Sequence, residues 1–220
     1  MSKDKKIFRS LGSISREFDE NSRRIEGCAI VFDSFSRDFG GFVEKISRDA
    51  VTEDLVRNSD IIMNIDHDNS KMLARSNRGE GTLELELKED GLYFSFDAPT
   101  TALGDEVLFN VRNGNLFECS FACFLDKSKV KRYKEGDQYI QEICAIEELL
   151  DCSIVVHAAY PATSVSLRDE DDAKKEFEDI KREVDEEEAK LAAAEEEKRK
   201  ALIINELDSM KDEFLKFVEN

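Results

Sequence analysis

The sequence has no long apolar run. Nowhere in its 220 residues does a window hold the roughly 18 uninterrupted apolar residues that a membrane span requires, so no membrane partner is expected. Its start, MSKDKKIFRSLGS, lacks the apolar stretch of a signal peptide, which predicts neither secretion nor anchoring. A surplus of positive charge is missing too: 32 Lys and Arg stand against 50 Asp and Glu, a formal charge of −18. That balance repels phosphates at long range, and no Lys/Arg block interleaved with aromatics reverses it locally, so nucleic acid is not expected as a partner. The five cysteines are odd in number and contain no C-x-x-C pair, so neither a disulfide framework nor a structural zinc site follows. They read as small core side chains in a reducing cytosol. There is no phosphate-binding glycine loop and no His/Cys/carboxylate ligand cluster, and no cofactor or metal is expected. Only two histidines exist, His67 and His157. Any mechanism that needs imidazole must use one of them.

What is present divides into regions of different composition. Residues 25–168 read as a β-rich globular domain, and after Arg168 the character changes. From Asp169 to Asn220 there are 20 acidic and 10 basic residues, a charge of −10, with no Pro or Gly. The tail contains EEEAKLAAAEEEKRKA, and its apolar residues recur at helical spacing in two stripes. One runs Phe177, Ile180, Val184, Leu191; the other runs Ile203, Leu207, Met210, Phe214, Phe217. This predicts a long acidic helix or coiled coil over 169–220 whose narrow seam needs a cover, either a second tail in a homodimer or the globular domain. Residues 1–24, polar and rich in Ser and Arg, read as a flexible lead-in.

Within the globular part, Ile25–Phe32 reads as a strand and Gly40-Gly41 as a turn before a short helix near Ser47–Asn58. The segment TLELEL (Thr82–Leu87) alternates strictly, Asp90-Gly91 is a turn signal, and LYFSFD (Leu92–Asp97) resumes the alternation, which predicts an antiparallel hairpin. Val107, Leu108 and Val111 suit a short helix that Asn113-Gly114 would stop. Strands follow at Leu116–Leu125, Tyr139–Ile146 and Leu149–His157. About seven strands with two short helices predict a mainly β fold, a small closed or nearly closed barrel with peripheral helices.

Three places carry residues with chemical potential. His67 lies in IIMNIDHDNS, where an apolar strand enters a polar turn; strand alternation would aim Asp66 and Asp68 away from its face. On residues alone, a surface or satisfied histidine accounts for it better than a catalytic one. Ser120 sits in LFECSFACF, whose apolar residues predict a buried strand, and its hydroxyl is either bonded to a neighbouring carbonyl or poised as a nucleophile beside an imidazole. No G-x-S-x-G elbow surrounds it, so the hydrolases built on that turn are not supported. Cys119 and Cys123 compete as nucleophiles, although Cys119 should face away from Ser120. Glu147, Glu148 and Asp151 lie beside the apolar run IEELLDCSIVVHAAYPATSV, as strand-end charges or as orienters of imidazole.

In order along the chain, GCAIVFDSFS, GGFVEKISRDAV, DHDNSKMLAR, GTLELE, DGLYFSFDAP, CSFACF and ELLDCSIVVHAAYPATSV together resemble the tailed-phage prohead serine protease family, which is related in fold to the herpesvirus assembly proteases. The resemblance spans about Ile25 to Leu167. It implies a small β-barrel and a Ser/His endopeptidase that cleaves the major capsid protein or scaffold, and itself, inside the immature capsid in the host cytoplasm. The family's histidine falls on His67 in DHD and its serine on Ser120 in CSFA. The acid of its leucine, acid, hydrophobic, serine pattern falls on Asp151 in LLDCS, with Glu148 as the fallback. His157 is a third candidate, because the herpesvirus relatives use a second histidine. The loop from His157 to Tyr160 is the expected source of oxyanion donors. A second function class stays open, a non-catalytic capsid-assembly or scaffold protein acting through its C-terminal helix. A third is a cysteine hydrolase using Cys119 or Cys123.

Overall fold

The computed structural model describes residues 7–14, 22–36, 38–156 and 170–218. Twelve strands and three α-helices follow along the described residues: β1 (Ile7–Ile14), β2 (Arg24–Val31), β3 (Phe42–Ile46), α1 (Glu53–Asn58), β4 (Asp60–Ile65), β5 (Ala74–Asn77), β6 (Glu80–Gly81), β7 (Glu84–Leu87), β8 (Gly91–Asp97), α2 (Ala102–Arg112), β9 (Glu118–Leu125), β10 (Val130–Glu135), β11 (Gln138–Ile143), β12 (Ile146–Val155) and α3 (Glu170–Val218). Nine strands form one sheet in the order β6-β5-β4-β12-β9-β1-β2-β8-β7, which curls into a nearly closed barrel. The other three form a small sheet, β10-β11-β3.

Alternation explains the barrel wall. On β8, Leu92, Phe94 and Phe96 enter the core while Tyr93 and Ser95 are only half-buried. On β9, Cys119, Phe121 and Cys123 do the same. Ile25, Ile30, Ile61, Met63 and Leu149 complete the interior, and each large apolar side chain so buried contributes roughly 1.5–3 kcal/mol. Phe121 is fully buried at the centre of this wall. Its replacement by Ala is expected to cost about 3–5 kcal/mol, read as a lowered urea midpoint at unchanged slope. The short helix α2 follows its sequence signals: Thr101 accepts from the Gly104 N–H, Val107, Leu108 and Val111 are buried, and Gly114 at φ 72° ends it.

Several strands escaped the sequence reading. Ile7–Ile14, placed in a flexible lead-in by its composition, is instead β1, paired antiparallel to both β2 and β9. One partner, β2, follows closely and the other, β9, lies about a hundred residues on, and the polar composition of residues 1–24 announces neither pairing. Phe42–Ile46, read as the approach to a helix, is β3, held parallel to β11. The expected helix over Ser47–Asn58 shrinks to a 3-10 turn at Arg48–Ala50 and α1, whose N-cap Thr52 accepts from the Leu55 N–H. The polar β10 (VKRYKE) is an edge strand, and edges carry charge to discourage foreign pairing.

The chain divides into two compact units, 1–177 and 178–220. Within the first, the opening turns of α3 meet the small sheet: Phe177 meets Tyr139 edge-on at 5.6 Å between ring centroids, and Gln141 Nε2 donates to Glu176 Oε1 at 3.1 Å. Gly41 makes room for this contact, because a Cβ there would stand 2.8 Å from the Phe177 ring. The second unit is the remainder of α3, on which Leu191, Leu202, Ile203, Ile204 and Leu207 are exposed. The side chains of Met210, Phe214 and Phe217 lie outside the described set.

Candidate active site

The site grows from the pairing of β9 with β12. These strands are antiparallel, with Ser120 opposite Ser153 and Ala122 opposite Asp151. Because β9 turns Cys119 and Phe121 into the core, Ser120 lies on the other face, as strand alternation requires. On β12 the register slips between Leu149 and Asp151, a bulge that inserts Leu150. In a regular strand Leu149 and Asp151 would share a face. The bulge lets Leu149 enter the core and aims Asp151 at the Ser120 side.

The histidine arrives from the third strand of the group. β4 runs parallel to β12, with Ile62 beside Asp151 and Asn64 beside Ser153. After Ile65 the chain reverses: the Asp68 N–H donates to Ile65 O at 2.9 Å, with Asp66 at φ 50° and His67 at φ 57°. Two central residues with positive φ make this a type I′ turn. Asp and His are among the few side chains that enter this region with any frequency. Further bonds hold the turn. The Asp66 N–H donates to Ile154 O at 3.1 Å and the His67 N–H to Ser153 Oγ at 2.9 Å. Asn64 Nδ2 donates to Asn69 Oδ1 at 3.0 Å, and Asp68 accepts from the Ser70 N–H at 2.9 Å. His67 thus sits within the turn that follows the strand, while Asp68 accepts from Ser70 and Asp66 is exposed.

From this turn the imidazole reaches back over the sheet. Its Nδ1 lies 2.7 Å from Asp151 Oδ1 and its Nε2 lies 2.8 Å from Ser120 Oγ. All three side chains are buried, with Asp151 only 1% exposed and Ser120 3%. A carboxylate accepts, so Nδ1–H donates to Asp151; the neutral ring then offers Nε2 as acceptor to the Ser120 hydroxyl. Three positions separated by 53 and 31 residues of chain thus meet in one hydrogen-bonded line. Such a line can take a proton from an attacking hydroxyl and return it to a leaving group.

The competing candidates do not join this line. Glu148 pairs across from Phe124 and is exposed. His157, and with it the expected oxyanion loop through Tyr160, lies outside the described residues. Cys119 and Cys123 point into the core, away from Ser120. Burial pushes the Cys119 thiol far up, with the Asp151 charge adding to the effect, and burial does the same to Cys152. Cys28 is pushed up to about 11 by burial and by Asp90. None of these three is a thiolate at neutral pH, so none is a ready nucleophile. Iodoacetamide at neutral pH is therefore expected to modify the partly exposed Cys144 first and to spare peptidase activity. Loss of activity in step with modification of Cys119 or Cys123 would contradict this.

Sequence reasoning expected a polar turn at His67 but missed its left-handed form and the role of Ser153. The signal for Ser153 was its spacing of two from Asp151, which puts both on one face of a strand. No residue type flagged the bulge at Leu150.

No curated protein matches the chain. Among solved structures, the bacteriophage T4 capsid assembly protease is similar at 10% identity, over 68% of this chain and 98% of that one, with a TM-score of 0.39. The model of the caudovirus prohead serine protease family matches residues 12–178, well over half the chain and the whole of the stretch that carries His67, Ser120 and Asp151. The chain is therefore a serine peptidase and belongs to the caudovirus prohead serine protease family.

Proposed function

We propose that this chain is an endopeptidase in which Ser120 is the nucleophile, His67 the general base and acid, and Asp151 the group that orients the ring. The observation that carries the reading is the pair of hydrogen bonds, 2.7 Å and 2.8 Å, that joins Asp151 through His67 to Ser120. As Ser120 Oγ bonds to a peptide carbonyl carbon, its proton passes to His67 Nε2. The tetrahedral intermediate then collapses, the C–N bond breaks, and Nε2–H protonates the departing amine. Water, deprotonated by the same nitrogen, releases the acyl group from Ser120. The buried Asp151 carboxylate stabilises the imidazolium that exists between these proton transfers, and burial strengthens that attraction. The precise alignment of three side chains supplies much of the rate by removing the need to assemble them.

The substrates in this reading are capsid-assembly proteins: the scaffold, a scaffolding segment of the major capsid protein, and the protease itself. The place of action is the immature capsid in the bacterial host's cytoplasm. The protease domain takes in β1 as well as residues 25–168, and the acidic helix from 169 onward directs it by pairing with scaffold helices or with a second copy. The exposed Leu191, Leu202, Ile203, Ile204 and Leu207 give that helix an apolar surface for such pairing. Co-expression with the phage's own capsid and scaffold proteins tests the proposal. New N-termini in those proteins are expected, and they should be absent when Ser120→Ala is co-expressed instead. Intact scaffold and capsid proteins beside a folded parent enzyme would refute the substrate assignment.

A further inference from the structure

We infer that Ser153 is a positioning residue for the histidine: its hydroxyl holds the left-handed turn from which His67 reaches Ser120. This rests on the reading of His67 as the general base.

The argument starts from the backbone of the turn. Asp66 and His67 both have φ near the left-handed region, at 50° and 57°, a conformation that non-glycine residues keep only where the surroundings impose it. Asp66 is exposed, so its side chain imposes little. The Asp66 N–H is fixed by Ile154 O. The His67 N–H has turned inward, toward β12, and there Ser153 Oγ accepts it at 2.9 Å. Ser153 has no exposed surface. A buried N–H requires an acceptor, and a hydroxyl on this face of β12 is the acceptor supplied. The Ser153 proton in turn points to the backbone, with Asn64 O at 3.4 Å and Ile154 O at 3.5 Å.

The consequence for chemistry is geometric. The His67 Cα belongs to the peptide that Ser153 holds, and the imidazole hangs from that Cα. Both ring nitrogens must meet partners on two different strands, Asp151 on β12 and Ser120 on β9. Ser153 lies directly across from Ser120 and two residues from Asp151. One hydroxyl therefore ties the histidine backbone to β12, the strand that carries Asp151 and pairs with the strand of Ser120. Without it the N–H loses its acceptor, the turn is free to leave the left-handed region, and the ring drifts from the line. A displacement of about 1 Å in a reacting group costs on the order of a hundredfold in rate.

The test uses the full chain and a fluorophosphonate probe, whose covalent capture of Ser120 is followed by intact mass. Ser153→Ala is expected to slow the labelling step by about a hundredfold while the half-saturating probe concentration stays within about twofold. Adding Asp66→Asn should restore at least about tenfold of that loss, because Asn favours the first central position of a type I′ turn. A loss caused by general loosening of the core would not respond to a change in an exposed turn residue. Ser153→Cys fills nearly the same space with a weak acceptor; if the alanine variant does not fold, it carries the same two expectations. His67→Ala runs beside them and should abolish labelling. Parental labelling in the Ser153 variants with none in His67→Ala would overturn the positioning role alone, as would a slowed Ser153 variant that Asp66→Asn leaves unimproved. Parental labelling in His67→Ala would overturn the proposed base itself.

Discussion

Ser120→Ala is expected to lower turnover by about a million-fold, the scale on which a serine nucleophile acts when its base and orienter remain in place. The reason is that the hydroxyl is the only part of the line that forms a bond to substrate. His67 and Asp151 keep their mutual hydrogen bond in the variant, yet a base with nothing to deprotonate confers little. Stability should change far less. The substitution deletes one hydroxyl and one hydrogen bond on a face already closed by Ala122 and Ser153, worth about 1 kcal/mol. Turnover against a scaffold or capsid-protein substrate and the urea unfolding curve together check the expectation. A variant that keeps its activity, or one that fails to fold, contradicts it.

Asp151→Asn is expected to lower turnover by roughly ten-thousand-fold with substrate binding retained. In the parent, Nδ1–H donates to the Asp151 carboxylate at 2.7 Å. An amide can present its NH2 group to Nδ1, which drives the proton to Nε2. That tautomer donates toward Ser120 instead of accepting its proton. An amide also lacks the charge that stabilises the imidazolium. Glu148→Gln is expected within about tenfold of the parent, because Glu148 is exposed and pairs with Phe124 rather than beside Ser120. His157→Ala is expected in the same range, since Nδ1 is committed to Asp151. Rates for the three variants on one common substrate check the ranking. A near-normal Asp151→Asn beside an inactive His157→Ala would replace the carboxylate by a second histidine.

The residues that strand alternation governs were legible in the sequence, and those that departures from alternation govern were not. Cys119 and Ser120 are neighbours on β9, and their opposite facings follow from position alone. The same logic on β12 misleads. It places Glu148, three before Asp151, on the opposite face, whereas the Leu150 bulge puts both on one side. What separates them is distance along the strand: Asp151 stands beside Ala122, two residues from Ser120, and Glu148 stands further off beside Phe124. A bulge leaves no mark in residue type when the inserted residue, Leu150, is of the same type as its strand neighbour Leu149. The type I′ turn was hidden for a related reason, since Asp66-His67 lacks the glycine that ordinarily announces such a turn. β1 was hidden because its stabilisation comes from hydrogen bonds to β2 and to the distant β9, which the polar composition of residues 1–24 does not record. The acidic helix, by contrast, was plain from its lack of Pro and Gly and its 3–4 spacing, properties that reside within the segment itself.

The central claim is that Ser120, activated by His67, is the nucleophile of this peptidase, and peptide mapping of a fluorophosphonate adduct tests it most directly. The parent chain should carry one adduct, on Ser120, and His67→Ala should carry none under the same conditions. An adduct on another residue, or Ser120 labelled equally well in His67→Ala, would contradict the account.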